Sequence, residues 1–113
     1  MNANSDRLTS GPAKKVTIYL NEDTSSSHDF LYREIWEFLL AHGVTGAALT
    51  HPDAEVGTTR HYYSQHLPVR IEFLESVERF EAIVPELCRM VTSGIIEAHD
   101  ATILKIATEP NPL

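Results

Sequence analysis

Between His51 and His66 the chain gathers three imidazoles, His51, His61 and His66, in a polar stretch that also holds Asp53 and Glu55. Imidazole nitrogens and carboxylates are ligands that zinc and copper accept, so the segment is a candidate metal site. Its spacing matches no closed four-ligand pattern, and solvated histidines that titrate near neutral pH are the competing reading. Within the same stretch Gly57-Thr58-Thr59-Arg60 combines backbone amides, hydroxyls and a guanidinium. Those are the donors that hold a phosphate or a carboxylate.

Catalytic chemistry is not legible. Glu22 beside Asp23, and Glu97 near Asp100, are formal carboxylate pairs, but acids at element ends are ordinarily solvated caps. Cys88 stands beside the apolar stripe of a helix with no evident base, so a buried packing role is expected in place of a nucleophile. The residues therefore argue against an enzyme.

The elements that position these groups follow from hydrophobic period. Val16, Ile18 and Leu20 alternate with Thr17 and Tyr19, predicting a half-buried first strand. Ser26 with Asp29 three residues later caps a helix opening near Ser27 or His28; Leu31, Ile35, Phe38 and Leu39 form its core stripe, with Tyr32, Trp36 and Leu40 beside it. Gly43 stops it. Val44 to Thr50 reads as strand two, His51 to His66 as a long exposed loop, and Val69, Ile71 and Phe73 as strand three. Ser76 caps a second helix whose stripe is Phe80, Ile83, Val84, Leu87 and Val91, with Pro85 a point of kinking, Gly94 its stop, and Glu78, Glu81, Glu86 and Arg89 a solvated face. A linker from Ile95 to Asp100 leads to strand four, Thr102 to Ala107.

This βαββαβ order folds as an α+β ferredoxin-like sandwich, a four-stranded antiparallel sheet with the two helices on one face. The other face would carry Tyr19, Arg70, Glu72 and either Leu104 with Ile106 or Ile103 with Lys105, a partly apolar surface that favours oligomers. Residues 1–13 and 108–113 read as tails around one domain, 14–107.

Length and charge set the outer limits. The 113 residues, 42% hydrophobic and 22% charged, suit one globular domain. Nine basic against sixteen acidic side chains leave a net charge of −7, which repels a nucleic acid backbone. No apolar run approaches the roughly 20 residues that span a bilayer. The opening residues carry no secretory pattern, so a cytoplasmic location is expected.

Three stretches then acquire meaning together. They are Lys15 to Leu20 leading through a polar turn into Tyr32 to Gly43; Gly43-Val44-Thr45-Gly46-Ala47; and Leu67-Pro68-Val69-Arg70-Ile71-Glu72 running on to Lys105. The last contains Ile83-Val84-Pro85-Glu86-Leu87 and Met90-Val91-Thr92-Ser93-Gly94-Ile95-Ile96. Over residues 14 to 106 the chain resembles the PII-like family known as domain of unknown function 190. The resemblance implies a homotrimer that binds small effectors, often adenine nucleotides, in clefts between subunits. It also implies a loop between strands two and three that contacts a partner, commonly a membrane transporter or channel.

Carried onto this sequence, the resemblance places the effector site at Gly57, Thr58 and Arg60 of the loop with Gly94, Ile95 and His99 from the turn of a neighbour, and with charge from Arg70 or Lys105. Ile95 would face an adenine, while His51, Asp53, Glu55 and His61 would meet the partner. In PII proteins the turn after the second helix grips phosphates with glycines and a lysine. Here Ser93-Gly94-Ile95-Ile96 matches its start, and Glu97-Ala98-His99-Asp100 replaces its basic part. A metal-responsive protein using His51, His61 and His66, or an interaction module without a small ligand, are the rival readings.

Overall fold

The computed structural model describes residues 8–21, 24, 30–44, 46–50 and 68–107. Along the chain run β1 (Gly11–Asn21), α1 (Leu31–Ala41), β2 (Ala48–Thr50), β3 (Pro68–Ser76), α2 (Val77–Met90) and β4 (Ile95–Ile103). The strands make a single four-stranded sheet in the order β2-β3-β1-β4, and every neighbouring pair is antiparallel. This is the α+β, ferredoxin-like βαββαβ arrangement.

Strand alternation sorts the side chains into two layers. Val16, Ile18 and Leu20 of β1 and Val69, Ile71 and Phe73 of β3 are buried against Leu31, Ile35 and Leu39 of α1 and Ile83 and Leu87 of α2. The helical contributions recur every four residues, which keeps them on one stripe toward the sheet. Truncating one of these, for example Leu39→Ala, removes about 2–5 kcal/mol.

Local chemistry sets the helix ends. Gly43 takes φ 77°, a backbone conformation that disfavours any side chain. In that conformation its N–H donates to the Leu40 carbonyl at 3.0 Å, and the Val44 N–H donates to the Leu39 carbonyl at 3.0 Å. The pair forms a Schellman closure, sealed by the buried Val44. At the start of α2 the Ser76 hydroxyl accepts from the Arg79 backbone N–H at 3.3 Å, as the cap pattern predicts. Pro85 lies inside α2 without ending it. Both Pro85 and Glu81, whose carbonyl loses its helical donor, are exposed, so water can satisfy that group.

Several boundaries differ from the sequence expectation. β1 opens at Gly11, ahead of Val16 and inside the stretch read as a tail. β2 is confined to Ala48–Thr50. α1 begins at Leu31 after Phe30, which offers no side-chain cap; the expected cap at Ser26 and Asp29 lies outside the described residues. The α2 helix ends at Met90 with Val91 as its cap, so Gly94 does not stop it and instead opens β4.

The largest departure is β4 itself, which occupies Ile95–Ile103 where a linker was expected and ends where strand four was expected to begin. It pairs with β1 along its whole length, from Tyr19↔Ile95 to Gly11↔Ile103. Its polar residues are absorbed by cross-strand partners. Lys14 Nζ meets Asp100 at 2.5 Å on the helix face, and the Tyr19 hydroxyl donates to Glu97 at 3.1 Å on the other. Cys88, expected to be buried, is exposed, because it sits one residue past the core-facing Leu87 and hence a hundred degrees around the helix.

The helix-free face carries Tyr19, Thr17 and Lys15 of β1, flanked by Arg70, Glu72 and Leu74 of β3 and by Ile95, Glu97 and His99 of β4. Ile103 shares that face by register, while Leu104, Lys105 and Ile106 follow the end of the strand. Among the described residues no helix is long and apolar enough to cross a membrane.

Candidate functional site

At one end of the sheet the last residues of β1, the first of β3 and the turn into β4 enclose a cleft of about 230 Å³, lined by Tyr19, Leu20, Asn21, Pro68, Ser93, Gly94 and Ile95. The turn approaches β1 this closely because Gly94 has no side chain. Its φ of 133° is a glycine conformation, and a Cβ there would collide with the Tyr19 carbonyl and stand 2.8 Å from Leu20 Cδ2. One glycine thus sets both the backbone turn and the depth of the cleft.

The cleft walls are mixed in character. Ile95 is 61% exposed and Tyr19 41%, so two large apolar surfaces lie side by side at its mouth. The hydrogen bond from the Tyr19 hydroxyl to the Glu97 carboxylate fixes the ring and holds the phenol pKa above its ordinary value. A carboxylate that accepts from the neutral phenol disfavours the phenolate. Beyond Tyr19 in register lies Arg70, whose Nε is 3.5 Å from Glu72. An aliphatic surface, an aromatic ring and a guanidinium therefore follow one another across three strands.

Of the residues singled out from sequence, Gly94 and Ile95 line this cleft and Arg70 flanks it. His99 does not reach it. It lies four residues along β4, about 13 Å away at strand rise, with Nε2 3.6 Å from Glu97. Lys105 follows the far end of β4 and is exposed, so the structure does not bring it together with Gly94 and Ile95 within one chain. His51, Asp53, Glu55, Gly57, Thr58, Arg60, His61 and His66, as well as Glu22 and Asp23, lie outside the described residues.

Glu97 and Asp100 do not form an acid pair, since they project to opposite faces of β4 and each is engaged by a different residue of β1. Among the described residues there is no grouping of three or more potential metal ligands.

The segment 51–67 leaves the sheet after Thr50 and rejoins it at Pro68, itself a wall of the cleft. A family model described as DUF190, Uncharacterized ACR, matches residues 13–103. The chain belongs to this PII-like family. A search of curated proteins finds no match. In this PII-like chain the cleft is built by the βαββαβ core, and the β2–β3 connection returns to the sheet at its rim.

Sequence reasoning missed Tyr19 as a site residue, together with Asn21, Pro68 and Ser93. Alternation along β1 puts Tyr19 on the helix-free face. Its position opposite the turn after α2 depends on β4 starting at Ile95, and the polar run 97–100 concealed that start.

Proposed function

We propose that the protein is a PII-like signalling protein that works as a homotrimer, binds an adenine nucleotide and acts through binding alone, without catalysis. Its effector occupies the cleft at Gly94 and Ile95 where a neighbouring subunit completes it. The segment 51–66 carries the response to a partner, such as a membrane transporter or channel, from a cytoplasmic location.

The observation that carries this reading is the cleft itself, formed by the turn Ser93-Gly94-Ile95 and bordered by Pro68, at which the 51–67 segment rejoins the sheet. Ile95 and the ring of Tyr19 offer a surface on which a flat purine can lie. Arg70 from the sheet, and the amides, hydroxyl and guanidinium of Gly57, Thr58 and Arg60, supply the donors for phosphate oxygens. A chain of net charge −7 needs such local donors to hold an anion. Family membership supports the trimer and the partner-directed segment.

Calorimetric titration with ATP, ADP, AMP and cyclic AMP, on protein whose mass in solution has been measured by light scattering, tests the reading. The expected result is a trimer with about one saturable site per subunit. A monomer, or no heat from any nucleotide at high protein concentration, contradicts it.

A further inference from the structure

Glu97 brings a negative charge to the edge of the cleft. It follows Ile95 by two residues on β4, so the two side chains share a face of the sheet, about 7 Å apart along the strand. Its Oε2 accepts from the hydroxyl of Tyr19, a wall of the cleft, at 3.1 Å. The carboxylate is thereby fixed beside the surface on which the nucleotide reading lays the purine. Its side chain is 41% exposed, and a charge partly withdrawn from water is screened less than a fully solvated one.

The neighbouring cations leave this charge in place. Arg70, the register partner of Tyr19, has its Nε 3.5 Å from Glu72. Lys15 shares the face of Tyr19 but lies four residues back along β1, about 13 Å at strand rise. Lys14 projects to the opposite face, where it meets Asp100. Among the described residues no lysine or arginine pairs with Glu97. His99, with Nε2 3.6 Å from Glu97 Oε1, is a counter-charge only when protonated.

We propose that Glu97 is a specificity-determining residue that makes the cleft favour AMP over ATP. The proposal rests on the nucleotide reading and adds a selection by charge. Adenine and ribose are uncharged and common to both ligands, whereas every further phosphate adds negative charge that a fixed carboxylate repels. The turn from Ser93 into β4 offers no lysine or arginine to offset that repulsion, its charged positions being Glu97, His99 and Asp100.

Calorimetric titration of the full chain with AMP and with ATP tests it, in magnesium-free buffer at pH 8, where an imidazole is ordinarily neutral. The variants are Glu97→Gln and Glu78→Gln. Glutamine at 97 keeps an oxygen that accepts from Tyr19 and loses the charge. Glu78 is exposed in the first turn of α2, about 18 Å of helix from Met90, so its variant removes the same charge far from the turn. The expected result is that the parent binds AMP at least tenfold more tightly than ATP, that Glu97→Gln narrows this ratio at least fivefold, and that Glu78→Gln leaves it unchanged. A parent that binds ATP as tightly as AMP overturns the proposal without recourse to any variant. A ratio that Glu97→Gln leaves unchanged, or that both variants alter equally, does so too, and in each of these cases the nucleotide reading stands. Absence of saturable heat from both nucleotides overturns that reading and this proposal together.

Discussion

Arg79, in the first turn of α2, donates from its guanidinium to the carbonyl of His42, the residue that closes α1. The same guanidinium holds Nε 3.3 Å from the carboxylate of Glu75, whose side chain is almost fully buried. One cation therefore satisfies a helix C-terminus and neutralises a buried acid at the end of β3. It is a polar joint between the two helices.

Arg79→Ala should destabilise the fold by about 1.5–3 kcal/mol, since it removes charged hydrogen bonds and strands the Glu75 carboxylate away from water. Urea denaturation of parent and variant checks this. A midpoint unchanged by the substitution would show that Arg79 contributes nothing net at the joint.

Glu75 also predicts a pH dependence with a definite sign. Burial, its largest influence, raises the carboxyl above its ordinary value of 4.5 against the opposing pull of Arg79 and the Ser76 N–H. The folded chain thus holds that proton more tightly than the unfolded chain does. The resulting stability is fully present below the ordinary value and is lost as pH rises through the folded one. Glu75→Gln should flatten that part of the stability profile. Asp100 has the opposite sign, because the hydrogen bond from Lys14, followed by its charge, lowers the carboxyl. Its contribution is present above the ordinary carboxylate value and fades as pH falls through the folded one, so Asp100→Asn should lower stability above that value and leave it unchanged at the acid end. Urea midpoints measured at closely spaced pH values separate the two.

Gly94→Ala should cost about 1–3 kcal/mol from backbone strain alone, with a further penalty from the collision with the Tyr19 carbonyl and Leu20. Because the turn must move away from β1, the same substitution should weaken nucleotide binding more than it lowers stability. Comparing its thermal midpoint with its ATP affinity checks both parts.

The fold was legible wherever one face of an element is buried, and less so elsewhere. Ile18 and Ile71 announced their strands, and Ile35 and Leu87 their helices, because a dry core imposes a period of two or of about four on its neighbours. β4 broke the rule. It is an edge strand with polar residues at 97, 99 and 100, stabilised by partners distant in sequence, such as Lys14 for Asp100. Local composition carries no record of those partners. Cys88 was misplaced by one step of helical rotation from Leu87.

Site residues followed the same division. The resemblance named Gly94 and Ile95, which line the candidate cleft, whereas Tyr19 takes its place there only through the β1–β4 register. Within one chain, Lys105 follows the end of β4 opposite Gly94 and Ile95.

An adenine nucleotide bound at the turn between α2 and β4, as proposed, should perturb the residues that line the cleft. The most direct measurement follows the backbone amide resonances of the isotope-labelled protein through a titration with ATP. Saturable shifts centred on Ser93, Gly94 and Ile95 and extending to Tyr19 and Asn21 are expected, with little change around Ala48 and Leu74. Absence of saturable shifts, or shifts centred away from that turn, would contradict it.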